Sequence, residues 1–361
     1  MRKRRRIEAG SQKADEPSAR YDEHWIRYIV CAGAPFGAFL FLFIARRYSE
    51  EVSLLEQNLS LDSITPLPPP DVPLILSGRV TWAVFNVLFY AAVSATAYFG
   101  ILYIIPKALE KHLKPYKIIL IAVLTPVIAL GIGLFNKSFQ SYLPLPTKLL
   151  ELTINRNYGK TQCRPFHGKT PIIQCKMESD ELWVYATHAF LASLCMIIIY
   201  AASQDTKRMT EPESNLDQIE RRLLLYMKLL RLSLYLGAAV LVTEILNVNA
   251  LLHWPLAYLD KQGAAYGGSI DRLVSALITE RAVNYTGFLA LLYIPSFHIF
   301  KEDAYRVACH KLPDNSLAER EAWLKEQGIA FSIWEYLPRA VAILGPLLST
   351  PLSELIRHVL G

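Results

Sequence analysis

The chain has 361 residues, a net charge of +6, 52% hydrophobic residues and only 19% charged ones. Soluble domains carry about a quarter charged residues, so this composition, gathered in long apolar blocks, excludes an ordinary soluble globule. The cations lie at the ends of those blocks, where lipid headgroups would sit, and this argues against nucleic acid as their partner.

The sequence predicts an all-α fold: a polytopic transmembrane helical bundle of about six spans, with short amphipathic helices on the cytoplasmic side. Residues 1–27 form a basic N-terminal segment that opens on Arg2, Lys3, Arg4, Arg5 and Arg6. It is expected to anchor topology. It does not look like a cleaved signal, because the first apolar block begins only near Tyr28 and charged residues precede it. The membrane domain covers 28–300, with spans at about 28–45, 80–105, 118–135, 183–202, 232–252 and 282–300. The run from Trp183 to Ala202 has no charge, and twenty residues at 1.5 Å each make about 30 Å, one bilayer core. Gly33, Pro35, Gly37 and Pro126 would break soluble helices but are tolerated in spans whose neighbours repair the backbone. Trp25, Trp82, Trp183 and Trp254 suit the interfacial belt.

Lys and Arg set the expected orientation. With the N-terminus inside, the inner segments carry 25 of them and the outer segments 13. The expectation is a multi-pass protein of the plasma (inner) membrane with both termini cytoplasmic. The outer loops are then 46–79, 136–182 and 253–281. The first is acidic and then proline-rich, with a glycosylation triplet at Asn58-Leu59-Ser60. The second is long enough to hold an amphipathic helix near Thr147–Ile154. It also holds Cys163 and Cys175, the one pair of the five cysteines that shares an aqueous loop, and a disulfide between them is expected on the oxidising side.

The inner segments read as helices. Leu216, Ile219, Leu223, Tyr226 and Leu230 step by three and four, a seam that leads into the fifth span. Leu216, Ile219, Leu223 and Leu230 are expected to meet a second copy, a membrane partner protein or the tail helix 317–327. The tail, 301–361, has capping boxes at Ser316/Glu319 and Ser332/Glu335. From Tyr336 onward it is apolar but interrupted by Pro338, Pro346 and Pro351. That pattern predicts helices at the interface or docked under the bundle, with a seventh span as the alternative.

No phosphate-binding glycine loop, His-Glu-x-x-His, Gly-x-Ser-x-Gly or Cys-x-x-Cys is present. No catalytic residue, metal or cofactor is therefore assigned. What remains is polar residues inside spans, which are costly and need a reason. Glu244 stands in an apolar run, with Asn247 one turn on. His188, Asn86, Arg79 and Asn284 join them as candidates, and all fall in the outer half or near the middle of the expected topology. A binding pocket that opens outward, with Glu244 at its centre, is one reading; interhelical hydrogen bonding is the other. The function that follows is a non-enzymatic sensor, interaction protein or accessory subunit in the bilayer. The alternative is a transporter or channel, proton-coupled through Glu244.

Overall fold

In the computed structural model the described residues are 72–109, 162–163, 170–207, 216–253, 267–313, 315–326 and 333–360. Almost all of them are helical. Helix α1 runs Val72–Phe99, continues through a π turn at Gly100–Ile104 and ends in Ile105–Leu109. A two-residue antiparallel pairing, β1 (Gln162–Cys163) against β2 (Thr170–Pro171), leads into α2, Ile172–Lys207. Then come α3 (Leu216–His253), α4 (Gly267–Lys311), the short α5 (Leu317–Glu326) and α6 (Ile333–Leu360).

Four stretches are long and apolar enough to cross a membrane: Val80–Ala108, Trp183–Thr206, Leu216–His253 and Val274–Lys311. They contain the second, fourth, fifth and sixth expected spans. The first and third expected spans, the Asn58 triplet and the Thr147–Ile154 segment lie outside the described residues.

Helix α3 is the axis of the bundle and packs against α1, α2, α4 and α6. Three rungs fix its register with antiparallel α4: Glu220 with Lys311, Ser233 with Tyr293, and Glu244 with Arg281. Two more fix it with α2: Arg222 and Tyr226 with Asp205, and Ser233 with Cys195. The end where α3 begins is called lower here, and the end where it finishes upper. Counting up from the Cys195–Ser233 rung, Trp183 comes level with Glu244. The bundle thus has charged rungs at both ends of a mainly apolar slab. From Tyr226 to Glu244 that slab rises on the order of 27 Å, close to a bilayer core.

The helices outrun the expected spans. α2 begins eleven residues before Trp183, and α4 extends from Gly267 past Phe300 to Lys311. Hydropathy marks the part of a helix that meets lipid, not the turns beyond it. The Ser316/Glu319 box is present: the Ser316 amide donates to the Glu319 carboxylate at 2.8 Å, and the Glu319 amide donates to Ser316 Oγ at 3.4 Å.

The tail was expected as helices at the interface or docked under the bundle, with a seventh span as the alternative; residues 333–360 form one helix, uninterrupted by its three prolines, that packs along α3 and α4. A Cβ on Gly345 would stand 3.3 Å from Val242 of α3, and the Arg339 guanidinium lies 5.0 Å over the Phe297 ring of α4. Phe297 is one turn below Tyr293. α6 therefore rises beside α3 from the lower end. Its outward face carries Leu337, Val341, Leu344 and Leu348, all exposed, while Arg339 and Ser349 are buried. Apolar outside and polar inside is the arrangement lipid favours and water does not.

Two glycines are set by close approach. A Cβ on Gly100, in the π turn, would run into the Phe190 ring. A Cβ on Gly237 would lie 2.9 Å from Leu191 Cδ1. Glycine lets α1 and α3 close onto α2 at these two points.

Candidate functional site

The candidate site is built at the upper rung. The Glu244 side chain is 1% exposed, and Arg281 Nη1 donates to its Oε1 at 3.2 Å. Arg281 is itself about a quarter exposed, so the pair sits at the rim of the slab with its cation toward the outside. Tyr285, one turn below Arg281 on α4, is buried near the carboxylate. Glu244 thus has a cation from the facing helix, with a phenol close by.

His188 approaches the same place from α2. Its ring lies 5.4 Å from that of Tyr285 and 4.3 Å edge-on to Phe288, centroid to centroid. Nδ1 donates to the Val184 carbonyl at 2.6 Å. In the neutral ring that leaves Nε2 as an acceptor, and Nε2 is buried without a partner among the described residues. Asn247 lies one turn above Glu244 on the same face of α3. It is fully buried, and among the described residues neither its Oδ1 nor its Nδ2 has a hydrogen-bond partner. An unpaired buried donor or acceptor costs about 1–3 kcal/mol. The site therefore holds unspent hydrogen-bonding capacity at Asn247 and His188.

The remaining candidates stand apart from this cluster. Asn284 is buried but turns along its own helix, donating to Glu280 Oε1 at 3.2 Å. Asn86 is on α1, with a buried, unpartnered Oδ1. The backbone of Arg79 lies in α1, and its side chain is outside the described residues. Cys163 falls on β1 and Cys175 in the first turn of α2 rather than in a loop. The side chains of both are outside the described residues, among which no disulfide is formed; Cys195 and Cys309 are free. No group of potential metal ligands is found among the described residues either.

The seam residues are placed inside the chain. Ile219, Leu223, Tyr226 and Leu230 are buried, and Leu216 packs on the same core. Tyr226 donates to Asp205 of α2 at 2.8 Å, so this stripe faces the chain's own helices.

Sequence reasoning missed several residues. Arg281 was counted as an outer-loop cation, and Tyr285 was not singled out. A lone acid in an apolar helix did signal that a cation must be near, and Arg281 opens the next apolar run. The centre of the slab also holds an unforeseen contact. Tyr293 donates to Ser233 Oγ at 3.2 Å, Ser233 donates to the Leu230 carbonyl at 2.9 Å, and Cys195 Sγ stands 3.9 Å from Ser233 Oγ. All three side chains are fully buried, and they join α2, α3 and α4. At the lower end Lys311 pairs with Glu220 and, at 3.0 Å, with Asp217, and it lies 5.3 Å over the Trp323 ring of α5. The adjoining Glu220 holds the Lys311 ammonium above the ordinary lysine range. No family model, curated protein or solved structure matches the chain.

Proposed function

We propose that the chain is a polytopic membrane protein that acts by binding rather than by turnover: a sensor, interaction or accessory subunit whose polar site at Glu244, Asn247, His188 and Arg281 opens at the upper, outward end. Burial of unspent hydrogen-bonding groups beside an ion pair at the rim supports a binding role. The observation that carries the choice against conduction is the closed centre. Below the site, the interface of α2, α3 and α4 is filled by Leu191, Leu194, Ile198, Leu230, Leu234, Phe288 and the Cys195–Ser233–Tyr293 contact, all at or near zero exposure. A transport path needs polar groups through both halves of the membrane.

The test is reconstitution of the full chain in liposomes loaded with a pH-sensitive dye, with a proton gradient imposed across them. Proton flux is expected to match that of protein-free liposomes. Flux above that level, abolished by Glu244→Gln, would replace the binding reading with proton-coupled transport.

A further inference from the structure

Arg231 is a cation on α3 with one edge of its guanidinium unused. Its Nε and Nη2 are both buried, and among the described residues neither has a hydrogen-bond partner. These two nitrogens form the side-on edge of the guanidinium, the fork whose spacing matches two oxygens of a carboxylate or phosphate. Every other ion pair described in this part of the bundle is closed within the protein. Asp205 is taken by Arg222 and Tyr226, and Asp217 and Glu220 by Lys311. Asp303, buried on α4 further down than Phe297, is likewise engaged within the chain.

The depth of Arg231 is set by neighbours already described. It lies two residues below Ser233, inside the slab but near its lower edge. It also lies eleven residues, about three turns, below Val242, and so on the same face of α3. That is the face α6 meets at Gly345. α6 contributes a second guanidinium, that of Arg339, buried, already engaged within the chain and held over Phe297 at roughly the same depth. Side chains lean toward the N-terminus of their helix. α3 and α6 both begin at the lower end, so both arginines lean toward it. Lys228, one turn below Arg231, is exposed. Beside these cations α6 turns its apolar stripe outward, at Leu337, Val341 and Leu344.

We infer that Arg231 and Arg339, with Lys228 at the rim, bind a phosphate-bearing anion in the groove between α3, α4 and α6, and that a phospholipid headgroup supplies it. The chemistry recognised is a phosphate oxyanion. Its source is read from position: the fork opens near the end of an apolar slab one bilayer core thick, where lipid phosphates are concentrated, next to an apolar face suited to acyl chains. A basic pocket between membrane helices near the inner surface is a recurrent headgroup site. The inference is independent of the upper site and stands or falls without it.

The experiment uses the purified full chain in detergent. Thermal unfolding is followed with phosphatidylglycerol, phosphatidylcholine or inorganic phosphate added at equal concentration, and native mass spectrometry counts retained lipid. Phosphatidylglycerol is expected to raise the unfolding temperature by about 3 °C or more. Phosphatidylcholine, whose choline cation opposes the arginines, and inorganic phosphate should give less than half of that shift. Arg231→Gln should abolish the gain and the retained anionic lipid, and Arg231→Lys, which keeps the charge without the fork, should retain part of both. Lys228→Gln, at an exposed position, serves if Arg231→Gln fails to fold, and it should reduce retention. An equal gain from inorganic phosphate alone would overturn the lipid assignment. A wild-type chain that retains no anionic lipid, or an undiminished gain in the Arg231 and Lys228 variants, would overturn the site.

Discussion

A carboxylate taken out of water into an apolar bundle costs several kcal/mol unless a partner offsets it. For Glu244 that partner is Arg281. Because the cation keeps about a quarter of its side chain exposed, it can turn to water once the acid is lost. Glu244→Ala is therefore expected to cost about 2 kcal/mol, below the range for breaking a fully buried pair. Glu244→Gln, which still accepts a hydrogen bond, should cost about half as much. Thermal unfolding in detergent of Glu244→Ala, Arg281→Ala and the double variant gives the coupling. A double variant no worse than Glu244→Ala alone is the expected result, and simple additivity would mean that the contact contributes nothing. The need for a partner was legible in the sequence, but its identity was not. His188 and Arg79 were the nearest expectations, because one sequence does not give the register between two helices. That register brings residues 37 positions apart to 3.2 Å.

At the scale of the element, α6 shows where local pattern misleads. Proline removes a backbone donor and crowds the preceding turn, so three prolines argue against one helix. The structure carries Pro338, Pro346 and Pro351 in a single helix laid along α3 and α4. Ser349 Oγ, donating to the Pro346 carbonyl at 2.6 Å, supplies one local hydrogen bond there. Packing decides the outcome, and packing is not local. The capping box at Ser316 was readable because its partners are three residues apart. The fit of Gly345 against Val242 was not, because they lie about a hundred positions apart. Gly345→Ala needs only a few tenths of an ångström from Val242 and should be nearly neutral. Gly345→Leu should force α6 away from α3 and destabilise by about 2 kcal/mol. Unfolding temperature and protease cleavage in α6 report both effects, and a Leu variant as resistant as wild type would show that α6 does not dock there.

For the whole molecule, the sequence told more about the solvent than about the arrangement. Apolar runs of the right length identified four of the stretches that form apolar helices in the structure, because each is a property of consecutive residues. The stripe from Leu216 to Leu230 packs into the chain's own core, where the sequence pattern suggested a second copy, a membrane partner protein or the tail helix, since amphipathicity does not say which neighbour covers a face. The crossing itself can be tested in a Cys309→Ser background. Gln218 at the start of α3 and Thr279 near the upper rung are both exposed. A membrane-impermeant maleimide applied to sealed vesicles should label Gln218→Cys and Thr279→Cys from opposite sides. A tag after Gly361 should share the side of Thr279, because α6 rises with α3, although charge counting alone sends the tail to the other side. Labelling of both cysteines from one side would mean that the bundle does not cross.

Lys311 gives the molecule a direction in time. It closes on Glu220 across 91 residues of chain. During synthesis, which proceeds from the N-terminus, α3 emerges with Asp217 and Glu220 exposed. They wait through the whole of α4 before their cation arrives. Until then the foot of the bundle is an open acidic notch. When Lys311 fills it, Trp323 follows only twelve residues later to cover the ammonium. A nascent chain interrupted between α3 and the end of α4 therefore differs from a finished one by a visible chemical mark, two unneutralised acids at the membrane edge, and finishing α4 is the event that erases it.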